Sequence, residues 1–135
     1  MVTGLDLLFL EVNNLTESVA FYSQQLDFTL ETSNPDSDPP LATLRAGRLR
    51  VTLAQHVETM LRRGRGVHFF LGVEDVDLYY EGLKARGFEL APPVDEGWGG
   101  RFITFEDPDK YRFFCVTWSD ADSARKALTS DVCEF

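Results

Sequence analysis

The apolar and polar positions of the chain fall into a pattern that occurs twice. Leu8-Phe9-Leu10-Glu11-Val12-Asn13-Asn14-Leu15 lies 61 positions ahead of Phe69-Phe70-Leu71-Gly72-Val73-Glu74-Asp75-Val76. Each copy is an apolar run closed by Val, followed by a polar pair and one more apolar residue, and reads as a strand. The period then turns helical, with Val19, Tyr22 and Leu26 spaced for one face over residues 16–26, and Val76, Tyr79 or Tyr80, and Leu83 spaced likewise over 76–86. Thr16 is the expected cap of the first helix and Asp75 of the second, while Gly87 after Lys84-Ala85-Arg86 reads as a C-terminal stop. Leu26-Asp27-Phe28 and Arg86-Gly87-Phe88 close the two helices alike.

Three more strands are expected in each copy. Residues 42–44, 49–53, 102–105 and 111–117 carry the β-branched and aromatic side chains that strands favour, and Gly47 and Pro108 mark turns. Residues 32–40 read as an acidic, Pro-rich loop, and 60–66 as a basic link in which Arg62-Arg63-Gly64-Arg65-Gly66 is solvated. Residues 119–135 read as a polar tail holding one short helix around 121–128. So long a period excludes a solenoid. The expectation is an α+β fold of two βαβββ modules, about 1–58 and 66–118, within one domain spanning 1–118.

Charge narrows the partners. Asp and Glu outnumber Lys and Arg by 22 to 13, and a net charge of −9 repels a phosphate backbone, so no nucleic acid is expected. The imbalance is uneven, because the first 44 residues hold seven acids and no Lys or Arg, whereas six basic residues lie between Arg45 and Arg65. No apolar run reaches the roughly 20 residues that span a bilayer. Met1-Val2-Thr3-Gly4-Leu5-Asp6 lacks a cationic lead, so no signal peptide is expected and the predicted location is cytoplasmic. Cys115 and Cys133 have neither metal spacing nor a disulfide framework and read as free thiols. No nucleophile elbow, P-loop or dinucleotide fingerprint is present.

Four motifs follow one another in a telling order: Leu10-Glu11-Val12-Asn13-Asn14-Leu15 with Ser18-Val19-Ala20-Phe21-Tyr22; the run from His68 to Val76; Trp98-Gly99-Gly100-Arg101; and Asp107-Pro108-Asp109. In these the chain resembles, from about residue 5 to 117, the vicinal oxygen chelate superfamily of glyoxalases, extradiol dioxygenases, fosfomycin-modifying enzymes and bleomycin-binding resistance proteins. The resemblance implies modules whose strands form a curved mixed sheet around a cleft, usually in a homodimer whose partner helps to close it. Metal-dependent members carry His, Gln or Glu on the first and last strands of the modules. Carried over, those positions fall on Leu7, Thr52, His68 and Phe114, of which only His68 could ligate a metal. Neither metal nor other cofactor is therefore expected.

Strand alternation places Leu7, Phe9 and Glu11 on the cleft side and Leu8, Leu10 and Val12 on the helix side. The same reasoning turns His68, Phe70, Phe102, Thr104, Arg112, Phe114 and Val116 toward the cleft and Cys115 away from it. Trp98 joins them through the resemblance, since the matching Trp-Gly-Gly segment borders the drug site in bleomycin-binding relatives. Trp118 is expected to stand outside the site. An aromatic-lined site suits a small aromatic ligand, neutral or cationic if Glu11 supplies the charge, acidic if Arg50 and Arg112 receive it. The expected function is metal-free sequestration of a drug or natural product, nearest to the bleomycin-resistance-like binders. The alternatives are a metal-dependent lyase, isomerase or dioxygenase of the same superfamily, and a domain whose cleft serves a partner protein.

Overall fold

An almost wholly apolar run makes β1, Leu7–Val12, a strand whose two faces differ in burial, with Leu10 and Val12 buried and Leu7, Phe9 and Glu11 exposed. In the computed structural model, which describes residues 1–58, 63–96 and 99–119, the chain forms two compact units. Trp98, Cys133 and the short helix expected at 121–128 lie outside the described residues.

The first unit holds Met1–Arg65 together with Asp107–Lys110. Its sheet has the order β1-β4-β3-β2, with β2 at Thr29–Asn34, β3 at Leu41–Ala46 and β4 at Leu49–Gln55. β1 runs parallel to β4 and the other neighbours are antiparallel. Helix α1, Leu15–Ala20, continues through a π-helical segment, Phe21–Gln25, and lies against β3 and β4; Leu15 and Tyr22 are buried, as are Leu44, Val51 and Leu53 of those strands. The second unit holds Gly66–Glu106 and the segment from Tyr111. Its sheet has the order β5-β8-β7-β6, with β5 at His68–Gly72, β6 at Val94–Asp95, β7 at Gly100–Glu106 and β8 at Arg112–Trp118. Helix α2, Val76–Ala85, covers β7 and β8 through Val76 and Leu83. Each module is thus βαβββ, its four-stranded mixed sheet covered by a helix, and the fold is α+β.

The duplication survives in detail. Asn14 and Asp75, 61 positions apart, are the helix caps, each in extended backbone with a side-chain oxygen accepting from the first turn. Asp27 and Gly87, only 60 apart, both take the left-handed conformation that ends the helix, at φ 60° and 92°. The first copy therefore has one residue more between cap and turn. The widened turn Phe21–Gln25 absorbs it, so that Phe28 N–H bonds to Tyr22 C=O where Phe88 N–H bonds to Leu83 C=O.

Several sequence expectations are corrected. Asn14 rather than Thr16 caps α1, because the helix begins at Leu15. The loop expected at 32–40 starts later, since β2 extends to Asn34 as the exposed edge of its sheet. Arg63 is no solvated linker residue: its side chain is 3% exposed and bonds to Glu11, to Asn13 Oδ1 and to the His56 carbonyl. The Asp107-Pro108-Asp109 turn belongs to the first unit because its carboxylates serve that unit's backbone and helix. Asp107 accepts from Tyr22 Oη at 2.7 Å, and Asp109 from Asn13 N at 2.9 Å and Ser18 Oγ at 3.4 Å. No helix among the described residues is long and apolar enough to cross a membrane.

Candidate functional site

Residues directly opposite in paired strands share a face, so the register lists the side chains that meet. On the face of the second sheet away from α2 the rows are Glu106–Arg112–His68, Thr104–Phe114–Phe70, Phe102–Val116–Gly72 and Gly100–Trp118. Phe114 is the centre of this face and is 4% exposed. Phe70 stacks on it with centroids 4.6 Å apart and planes 9° apart, Phe102 tilts against it at 5.5 Å, and His68 meets it edge-on at 5.9 Å. Phe70, Phe102 and Trp118 are half-buried around Phe114 and Val116. Thr104 is exposed beside Phe114, and an Arg112 terminal nitrogen lies 3.6 Å from Glu106 Oε1. His68, Phe70, Phe102, Thr104, Arg112 and Phe114 are brought onto one face as expected, with Phe114 as its floor.

Trp118, expected to stand aside, is part of this cluster. The alternation Arg112, Phe114, Val116, Trp118 along β8 carries that signal in the sequence. Cys115 points the other way, between Leu71 and Ile103 in the register, and burial pushes its thiol up to about 12, against a hydrogen bond from Tyr79.

The open face of the first sheet is different. Its rows are Leu7–Arg50–Arg45, Phe9–Thr52–Thr43 and Glu11–Ala54–Leu41. Leu7 and Phe9 are 43% and 58% exposed, and the Thr43 and Thr52 hydroxyls share a hydrogen bond of 2.9 Å. Sequence reasoning missed Glu31, whose carboxylate takes a hydrogen bond from Arg50 Nε at 2.8 Å and lies 3.7 Å from Arg45 Nε. The Arg50 hydrogen bond holds the Glu31 carboxyl below its usual 4.5, and raises Arg50 in turn. Glu11, expected as a counter-charge for a cationic ligand, is ion-paired with Arg63 at 3.2 Å, so much of its charge is already answered.

The positions at which metal-dependent relatives carry ligands do not fit a metal here. Leu7 is hydrocarbon, the Thr52 hydroxyl is bonded to Thr43, and Phe114 is packed between rings, which leaves the His68 imidazole as the one good donor of the four. Among the described residues, no three His, Cys, Asp or Glu side chains gather where they could hold a metal ion.

Residues 4–114 match the family model of the Glyoxalase/Bleomycin resistance protein/Dioxygenase superfamily. The chain belongs to that superfamily. Solved structures agree on the fold. A glyoxalase/bleomycin resistance protein/dioxygenase from Nocardioides is 24% identical with a TM-score of 0.72, over 90% of this chain and 87% of that one. TnmS3, an antibiotic-binding protein from Streptomyces sp. CB03234, is 19% identical with a TM-score of 0.70, over 87% of this chain and 98% of that one. A variant of the fosfomycin resistance protein FosX from Listeria monocytogenes, complexed with Mn(II) and dihydroxypropylphosphonic acid, is 25% identical with a TM-score of 0.73, over 93% of this chain and 99% of that one. No curated protein matches the chain.

Proposed function

We propose that this superfamily member is a metal-free small-molecule-binding protein that sequesters a planar aromatic drug or natural product, in resistance or self-protection. The observation that carries the reading is the ring cluster on the second sheet, where Phe70, Phe102 and Trp118 surround a buried Phe114 with Thr104 and His68 beside them. Aromatic faces favour flat rings, and a few polar groups among them orient a ligand. Hydrocarbon at Leu7 and Phe114 supports binding without metal chemistry. TnmS3, an antibiotic-binding protein of like fold, supports the same class of function. Arg112, on the same face of that sheet, and Trp98 complete the proposed contacts. The working form is a cytoplasmic homodimer of one domain spanning residues 1–118, which a clean monomer in sedimentation at micromolar concentration would count against.

Quenching of tryptophan fluorescence by a panel of flat aromatic compounds tests the reading. Saturable quenching that falls when Phe70 or Phe102 is replaced by Ala is the expected result. If Phe70→Ala and Trp98→Ala both leave the affinity of every quencher unchanged, the proposed site is wrong.

A further inference from the structure

Arg45 and Arg50 stand directly opposite each other across β3 and β4, on the open face of the first sheet. Like charges in that relation repel, and the single Glu31 carboxylate offsets one of the two. The three groups together keep a net positive charge in a chain of net charge −9. Glu31 is held there by an irregularity of the strand: the register passes from Leu30↔Leu44 to Thr32↔Thr43, so Glu31 is the extra residue of a bulge. Bulges re-aim side chains, and this one delivers a carboxylate to the two guanidinium groups. Glu31 engages both arginines at Nε, which leaves unused by Glu31 the terminal nitrogens that complete a forked pairing with an oxyanion. The same face offers exposed Leu7 and Phe9 to a hydrocarbon body and the Thr43–Thr52 hydroxyl pair to a polar edge.

We propose that Arg45 and Arg50 receive the anionic head of an otherwise apolar ligand, a carboxylate, phosphate or phosphonate, whose body lies on Leu7 and Phe9, and that Glu31 is the internal carboxylate this head displaces. The inference rests on the small-molecule reading above and selects an acid over a cation. The Glu11–Arg63 pair agrees with it, because the carboxylate expected to greet a cation is already occupied.

The test is a titration of the isotope-labelled full chain with 2-naphthoate, 2-naphthylmethylammonium, 2-naphthylmethanol and inorganic phosphate, followed by two-dimensional NMR. Naphthoate is expected to shift the amides of Leu7, Phe9, Arg45 and Arg50 and to bind about tenfold more tightly than the ammonium or the alcohol, as charge-assisted hydrogen bonds imply. Phosphate moving the same residues extends the accepted head to phosphate and phosphonate; shifts with naphthoate alone make it a carboxylate. Arg50→Gln should remove the preference, and Glu31→Gln should strengthen naphthoate binding, a gain that misfolding does not imitate. Ammonium or alcohol binding as tightly as naphthoate, or naphthoate binding no better to Glu31→Gln, overturns the anion receptor and leaves the small-molecule reading standing. Binding of no aromatic probe overturns both.

Discussion

Phe70 and Phe114 face each other across the parallel β5–β8 pair with centroids 4.6 Å apart and planes 9° apart. The two rings do different work, since Phe114 is buried and Phe70 keeps part of its surface open. Phe114→Ala should therefore lower unfolding stability by about 3 kcal/mol, through lost burial and the cavity left under Phe70, Phe102 and His68. Phe70→Ala should cost less stability and more ligand affinity. Denaturant unfolding of both variants beside a fluorescence titration separates the roles, and equal stability losses would contradict this division.

The Tyr22–Asp107 hydrogen bond ties the Asp-Pro-Asp turn to the helix of the first unit, with both residues buried. Tyr22→Phe keeps the ring and removes the donor, so the variant should lose about 1 to 3 kcal/mol, as expected where a buried charged acceptor loses a partner. Ligand affinity should not change. Urea unfolding reads the first effect and the same quenching titration the second.

Much of this was legible beforehand because periodicity reports burial. The alternation in β1, the faces of β5 and β8, Asp75 as a cap and Gly87 as a stop are all local properties of the chain. Asn14 displaced Thr16 because two candidates only two positions apart compete, and the backbone turns into helix one residue after Asn14. Arg63 looked like one of a run of solvated arginines, and nothing in Arg62-Arg63-Gly64 says that Glu11, Asn13 and His56 converge on the middle one. Glu31 was invisible for a similar reason, since its meeting with Arg45 and Arg50 depends on a bulge in pairing register.

Acid should weaken the fold through two exposed carboxylates. Hydrogen bonds from arginine hold Glu31 below its usual 4.5 and Asp77 below 3.8, so both bind protons less readily folded than unfolded. Their contribution is complete above those ordinary values and is lost as the pH falls through the lower folded values. Because both pairs are exposed, the effect should be small and should shrink in high salt. Unfolding curves from pH 6 downward should show Glu31→Gln and Asp77→Asn with shallower acid slopes than the unaltered chain; unchanged slopes would mean that neither carboxylate is effectively paired in solution.

The Cys115 thiol, buried in β8 and pushed up to about 12, should be nearly inert at neutral pH because little of it is thiolate. In a Cys133→Ser chain, alkylation by iodoacetamide at pH 8 should be slow until denaturant opens the fold. The linkage runs opposite to that of the carboxylates. A thiol that keeps its proton in the folded state contributes stability up to its ordinary value of 9.0, and the contribution is lost as pH rises toward 12. Rapid labelling of the folded chain would show that β8 opens readily.

Divalent metals should leave the thermal stability of the chain unchanged. A ligand that binds the folded state alone stabilises it by mass action, about 2.7 kcal/mol at a hundred times its dissociation constant, so even a moderate site is visible in a melting curve. Leu7 and Phe114 bring no donor atoms, and Thr52 already shares its hydroxyl with Thr43, so His68 would have to hold the ion without the partners that a stable site needs. Ni²⁺, Zn²⁺, Mn²⁺ and Fe²⁺, each added in excess, should therefore give curves coincident with the metal-free one, in His68→Ala as in the unaltered chain. A shift from one of these ions that disappears in His68→Ala would place a metal on this face and move the reading from sequestration to metal-dependent catalysis.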